Sequence, residues 1–230
     1  MAEDGSVPRT DASTGRTGRP PVTSRAQIMA AAARLIDQDG WERLTVRRLA
    51  AELGIGTTTL YHHVRDKQDL LLLMLSEYAA QIPRPDLPDD PRERMIVTAA
   101  TMHDALAAWP WAAEVVTTDG LLGLVGEPLT GMVETIVAGA VDCGCTREQA
   151  VHVFRSVWYY TVGELLVRIH SAGGRTALRD VDFTGFDPAR TPTLAAIGDR
   201  WRALAAQDTY RTGLRALVDG LLNGFVVPEG

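Results

Sequence analysis

The chain has 230 residues, 46% of them hydrophobic and 23% charged, with a formal net charge of -6 at neutral pH. That length and apolar content allow a sizeable core in one large or two modest domains. Apolar runs such as residues 70–75 fall far short of the about 20 residues a bilayer-spanning helix needs, and a lone Cys143-x-Cys145 pair excludes a disulfide framework and makes a poor zinc site. The two cysteines are therefore expected to be free thiols in a reducing cytoplasm. The acidic balance is also uneven: residues 16–68 hold nine Lys+Arg against five Asp+Glu, a balance of +4, whereas residues 71–230 hold 13 against 20, a balance of -7.

Residues 1–22 are rich in Gly, Pro, Ser and Thr, lack the apolar core of a secretion signal, and are predicted to form a flexible tail. The spacing of Ile28, Ala31, Ala32, Leu35 and Ile36 then predicts a helix over 24–38, closed by Asp39-Gly40, with Trp41 and Leu44 packing beneath it. Residues 44–67, LTVRRLAAELGIGTTTLYHHVRDK, read as two short helices joined by a tight turn. In the first, over 45–53, Thr45 is placed to cap and Val46, Leu49, Ala50 and Leu53 form one buried stripe, which leaves Arg47, Arg48 and Glu52 outside. Gly54 stands where a helix end needs a left-handed residue. In the second, Thr57, Thr58, Thr59, Tyr61, His62 and His63 crowd into about two turns while Leu60 and Val64 anchor the inner side. Such a density of hydrogen-bonding groups on one edge suits a DNA major groove. Arg16, Arg19 and Arg25 either enter a narrow minor groove nearby or are simply solvated.

Downstream, Asp66 precedes a helix predicted over 67–81, and the Pro-rich stretch 84–92 breaks the chain. Helices are predicted at about 91–108, 110–116, 127–142, 147–170, 192–206 and 208–225, with no strand alternation anywhere. Thr146 and Gln149 make a capping box for the helix at 147–170, and 171–192 is predicted to be a mobile loop. The 147–170 helix carries Val151, Phe154, Trp158, Leu165 and Ile169 on one stripe with Val153, Val157 and Tyr160 beside it, an arc wider than one neighbour covers. The 208–225 helix repeats the theme with Leu214, Leu217, Val218, Leu221 and Leu222.

The elements T-V-R-x-L-A-x-x-L-G, L-Y-x-H-V and K-x-x-L-L, following an alanine-rich helix that ends in D-x-G-W, closely resemble the N-terminal domain of the tetracycline-repressor (TetR) family over residues 20–82. The resemblance implies an all-α fold: a three-helix helix-turn-helix DNA-binding domain at 23–66, joined by a linker helix to a helical ligand-binding and dimerisation domain at 67–230. It implies DNA contacts from Thr45, Arg47, Thr57, Thr58, Thr59, Tyr61 and His63, and a phosphate contact from Lys67, the only lysine in the chain. Thr57-Thr58 departs from the Gln-Pro of the tetracycline repressors, which points to a different operator sequence. The C-terminal half, with the WPW element at 109–111, resembles the same family's ligand domain. From it follow a symmetric homodimer through the helices at 147–170 and 208–225, a palindromic double-stranded operator and a small-molecule effector, with no membrane partner.

Large or adaptable side chains mark the candidate ligand pocket: Met102, His103, Leu106, Trp109, Trp111, Met132 and Trp158. Glu164 lies inside an apolar helix stretch and either pairs with Arg168 one turn on or orients a ligand amine or hydroxyl. The histidines by which tetracycline repressors hold drug and magnesium have no clear counterpart, and Pro83 occupies one such place. An enzyme is the rival class. His152 and His170, five helical turns apart, would stand roughly 27 Å from each other and share no metal. Glu148 with His152 makes at most half a site, and no G-x-S-x-G, phosphate loop or H-E-x-x-H is present. The expectation is thus a regulator with no catalytic residues, metal or cofactor. It is a repressor released by its ligand, or an activator or dual regulator, since sign depends on where the site lies relative to a promoter.

Overall fold

A computed structural model describes residues 23–117, 126–173 and 185–225. The tail residues Arg16 and Arg19 and half of the predicted loop at 171–192 lie outside these. Among the described residues there is no strand. The first helix, α1 (Arg25–Asp39), begins at a capping box: Ser24 Oγ accepts from the Gln27 N–H at 3.2 Å and Gln27 Oε1 from the Ser24 N–H at 2.8 Å. Gly40, at φ 85°, ends it and leads into a 3₁₀ turn, Trp41–Arg43. Thr45 caps α2 (Val46–Glu52) through its hydroxyl, 3.2 Å from the Arg48 N–H. Gly54, at φ 66°, makes the turn that no residue with a Cβ adopts without strain. The second helix of the pair, α3, spans only Thr57–Tyr61, shorter than the two turns expected, and His62 and His63 fall in the following turn. The Asp66 carboxylate caps α4 (Lys67–Ala79), accepting from the Asp69 N–H at 2.8 Å.

The remaining helices are α5 (Pro91–Ala108), α6 (Pro110–Val116), α7 (Glu127–Asp142), α8 (Arg147–Gly173), α9 (Pro192–Ile197), α10 (Trp201–Ala205) and α11 (Tyr210–Phe225). The first three have the predicted bounds, because Asp90-Pro91, Pro110 and Gly126-x-Pro are strong start signals. The Thr146–Gln149 capping box forms as expected at the head of α8, which runs three residues beyond its predicted end. One predicted helix is split. Gly198, at φ 53°, and a 3₁₀ turn, Gly198–Arg200, separate α9 from α10.

The centre of the larger half is α8, packed against α5, α6, α7 and α11, while α5 and α7 share the most extensive contact. One buried core runs from Ile28 in α1 through Leu60, Leu70 and Met74 to Leu222 in α11, so α4 belongs to both halves. This packing takes up part of the two apolar arcs within the chain itself. Phe154 and Leu165 on α8, and Leu214, Val218 and Leu222 on α11, are buried within the chain, because four helices enclose α8. The apolar groups left exposed on α8 are Val151, Tyr159 and Val167, at 47%, 59% and 68% accessibility.

The α5–α7 contact depends on Gly139. A Cβ there would stand 2.5 Å from Met95 Cγ and 3.0 Å from the Pro91 carbonyl oxygen, and a backbone atom cannot step aside. Gly139→Val is therefore expected to lower folding stability by about 1–3 kcal/mol, read as a shift of the urea midpoint at unchanged slope.

Candidate functional site

Two sites emerge, one at each end of α4. At its N-terminal end, Thr45, Arg47, Thr57, Thr58, Thr59, Tyr61 and His63 are all exposed on the outer edge of α2 and α3, with Leu60 and Val64 fully buried beneath them. The two arginines of α2 differ. Arg48 is bound to Asp39 on α1, and Arg34 to Glu52 at 3.1 Å, so these pairs fasten α2 to α1. Arg47 is exposed and has no carboxylate partner among the described residues.

Lys67 is not free. Its ammonium donates to the Glu42 carbonyl at 2.8 Å and lies 5.0 Å from the centre of the Trp41 ring. Partial burial there pushes its pKa down, opposed by the Glu42 carboxylate. Trp41 in turn donates its indole N–H to Glu114 Oε2 on α6 at 2.6 Å. The other oxygen of Glu114 lies 3.6 Å from His170 Nε2, near the end of α8. Sequence patterns gave no sign of this connection, since its members are 73 residues apart. It ties the helix-turn-helix half to α6. In a double-mutant cycle with Trp41→Phe and Glu114→Ala, a hydrogen bond to a charged group predicts a coupling energy of about 1.5–3 kcal/mol, measured by urea unfolding.

At the other end of α4 is a cavity. Leu75, Tyr78, Ala79 and Ile82 form one wall, and Met102, Leu106, Trp109, Ala112, Val116, Leu129, Val133 and Trp158 most of the rest. It is narrow, with a volume of about 30 Å³, on the scale of one water. Tyr78 stands against Trp109 with ring centres 4.6 Å apart, and edge-on to Trp111 at 5.6 Å. Four of the eight candidate ligand residues, Met102, Leu106, Trp109 and Trp158, thus come together. Trp111 flanks Tyr78 from outside, and Met132 lines an adjoining cleft that shares Ala79 and Ile82 with the cavity. The contribution of α4 was missed, although Leu71, Leu75, Tyr78 and Ile82 keep helical spacing along one face.

His103 and Glu164 are elsewhere. His103 is buried between α5, α8 and α11, with Nδ1 3.0 Å from Asp104 Oδ1, Nε2 2.9 Å from Glu164 Oε2, and its ring stacked on Tyr210 at 3.8 Å. The second oxygen of Glu164 accepts from Arg168 Nε at 2.8 Å, so the pairing expected one turn along is present and a cross-helix bond is added to it. Tyr210 shares a 2.7 Å hydrogen bond with Thr161, and burial pushes its phenol up to about 12. With both carboxylate oxygens and both ring nitrogens engaged, this cluster bolts α5, α8 and α11 together. Cys143 and Cys145 are both unpaired thiols, raised in pKa by burial. Among the described residues no three His, Cys, Asp or Glu side chains are grouped to hold a metal, and no helix is long and apolar enough to cross a membrane.

The same division of the chain is found in known proteins. Residues 28–74 match the family described as bacterial regulatory proteins, tetR family, and residues 84–224 match the tetracyclin repressor-like C-terminal domain. The HTH-type transcriptional repressor DrrR1 of Streptomyces coeruleorubidus is 30% identical over 228 residues, covering 90% of this chain and 82% of its own. An HTH-type transcriptional regulator of Saccharopolyspora erythraea is 29% identical over 214 residues, covering 87% and 85%. In fold, the chain is similar to the TetR family protein ActR of Streptomyces coelicolor in complex with actinorhodin, with a TM-score of 0.70 at 20% identity over 89% of this chain and 99% of that one. An exposed helix-turn-helix edge, a shared α4 and a helical half built round a cavity are therefore accounted for together: the chain belongs to the tetR family of bacterial regulatory proteins.

Proposed function

We propose that this chain is a homodimeric, ligand-responsive repressor of transcription, in which residues 23–66 read a palindromic operator and residues 67–230 bind the effector and the second subunit. The observation that carries the proposal is the position of α4. One end presents Lys67 beside the helix-turn-helix edge, and the other end walls the cavity. A molecule entering the cavity meets Leu75, Tyr78, Ala79 and Ile82 and favours conformations in which α4 is displaced. Because Lys67 begins the same helix, displacement changes the spacing of the two recognition helices in a dimer.

Several features support the details. Arg47 and Lys67 have the charge for phosphate contacts, whereas Thr57, Thr58, Thr59 and Tyr61 have the groups for base edges, with Thr45 and His63 at the margins. α8 exposes Val151, Tyr159 and Val167, and α11, packed against it, exposes the small residues Thr212, Ala216, Gly220 and Gly224, which suit close approach of a second copy. The relative DrrR1 is named a repressor, and the structural neighbour ActR holds actinorhodin, so a repressor with an organic effector has precedent in the family. A regulator of this kind works where the chromosome is, in the cytoplasm.

The test is a mobility-shift assay of the purified chain on DNA flanking its own gene, with the dimer checked by light scattering. A retained band that small molecules release is the expected result. No band at any flanking segment, at low salt, would remove the proposal.

A further inference from the structure

We propose that the cavity beside α4 is built for an uncharged, flat aromatic molecule that enters past Ile82, an inference that rests on the ligand-responsive reading above. Among the described residues no charged side chain lines the cavity, and the only N–H or O–H groups on the lining side chains are the Tyr78 hydroxyl and the indole N–H groups of Trp109 and Trp158. Burial pushes the Tyr78 phenol up, which keeps it neutral. An ion placed here without a partner loses its water for nothing in return, at a cost of several kcal/mol. The nearby carboxylates do not change this. Glu114 is occupied by Trp41, and Glu164 by His103 and Arg168, so neither is available to a cationic guest. Aromatic rings and the Met102 thioether instead offer faces for a planar apolar guest.

Size decides how the guest is admitted. A cavity of about 30 Å³ takes no such molecule unless a wall yields. The wall formed by α5 is held on three sides: to α7 by Arg94–Asp142, to α8 by His103–Glu164, and to α11 by Arg92–Asp219. The far half of α4 has one ion pair, the exposed Arg25–Glu77 contact at 2.9 Å. It is the wall that moves. Ala79 and Ile82 also border the outer cleft lined by Pro83, Arg84, Thr98, Glu127, Met132 and Thr135, which places the entrance there and gives Met132 its role at the mouth, with the charges of Arg84 and Glu127 outside the cavity's own lining.

The test titrates the full chain with three probes of similar ring size: uncharged N-phenyl-1-naphthylamine, its sulfonated relative 1-anilinonaphthalene-8-sulfonate, and a naphthalene bearing a trimethylammonium group. The uncharged probe should bind once per subunit, with energy transfer from Trp109 and Trp158, and at least tenfold more tightly than either ion. Ala105→Phe, which overfills the cavity from a half-buried position and so lowers the thermal midpoint, should weaken it at least tenfold while a cooperative thermal melt shows the chain still folded. Ile82→Ala should speed its entry. Tighter binding of an ionic probe, absence of saturable binding by the uncharged one, or no effect of Ala105→Phe would overturn the inference. Saturable uncharged-probe binding in a chain that retains no flanking DNA would overturn the regulator reading and leave the ligand class standing.

Discussion

Leu60→Ala is expected to lower folding stability by about 2–5 kcal/mol and operator affinity at least tenfold, although this side chain faces away from DNA. Leu60 is fully buried and is the only buried residue of α3, a helix of five residues. So short a helix does not persist by its own hydrogen bonds. It exists because Leu60, with Val64 just beyond, is held against the core formed by Ile28, Leu49 and Leu70. Removing the anchor leaves a cavity under the recognition edge and loosens every polar group on it at once. Of that 2–5 kcal/mol, only about 1.4 kcal/mol expressed as local melting of α3 is enough for a tenfold loss of affinity. Urea unfolding and fluorescence anisotropy on the same variant measure both terms. Thr58→Ala is the control: an exposed position should change stability by no more than about 0.5 kcal/mol. A Leu60→Ala protein with unchanged stability would mean that α3 is held by something other than its core contact.

Arg47→Ala combined with Lys67→Ala should flatten the salt dependence of operator binding. Each lost phosphate contact reduces the slope of log affinity against log salt by about 0.9. In a dimer either single substitution removes two contacts, about 2 in slope, and the pair about 4. The two residues should differ in the affinity they contribute. Arg47 has no partner among the described residues, whereas Lys67 must first leave the Glu42 carbonyl and the Trp41 ring. That exchange cancels much of what a phosphate offers, so Lys67→Ala should weaken binding less than Arg47→Ala. Both losses should be uniform across operators, while Thr58→Ala should alter their ranking. Anisotropy titrations between about 50 and 200 mM salt distinguish these outcomes. Equal losses on every operator for all three variants would dissolve the division between phosphate-binding and base-reading residues.

The Trp41–Glu114 bond gives Lys67 a wider meaning. As the only lysine it stood out by composition, and its place at the head of α4 suggested a phosphate contact. The structure adds that its resting partner, Trp41, is also the partner of α6. Two residues of α6, Ala112 and Val116, line the cavity. A guest therefore has two routes to the DNA-facing half, through α4 directly and through α6, Glu114 and Trp41.

Much of the fold was legible from local signals. Capping residues, helix-starting prolines and left-handed glycines act within a few residues of themselves, which is why Thr45, Gly54, Asp66, Asp90 and the Thr146–Gln149 pair bound their helices as read. The exposure of the α2–α3 edge was legible too, because period and polarity together separate Leu60 and Val64 from Thr57, Thr58, Thr59 and Tyr61. Signals of the same kind failed where a neighbour overrode them. A helix was predicted over 192–206, and Gly198 breaks it. Of the apolar arc read on the last helix, Leu214, Val218 and Leu222 are buried within the chain, while Leu217 and Leu221 stay half-buried.

What the sequence determined by itself was most of the helices, the all-α class and the exposed polar edge of α2 and α3, since all three follow from interactions between residues near in the chain. What only the tertiary structure decided was which apolar residues share a cavity, that His103 and Glu164 bind each other across 61 positions rather than a ligand-facing surface, and that Lys67 rests on Trp41. Those outcomes depend on how helices distant in sequence cross, and periodicity identifies a buried face without naming what buries it.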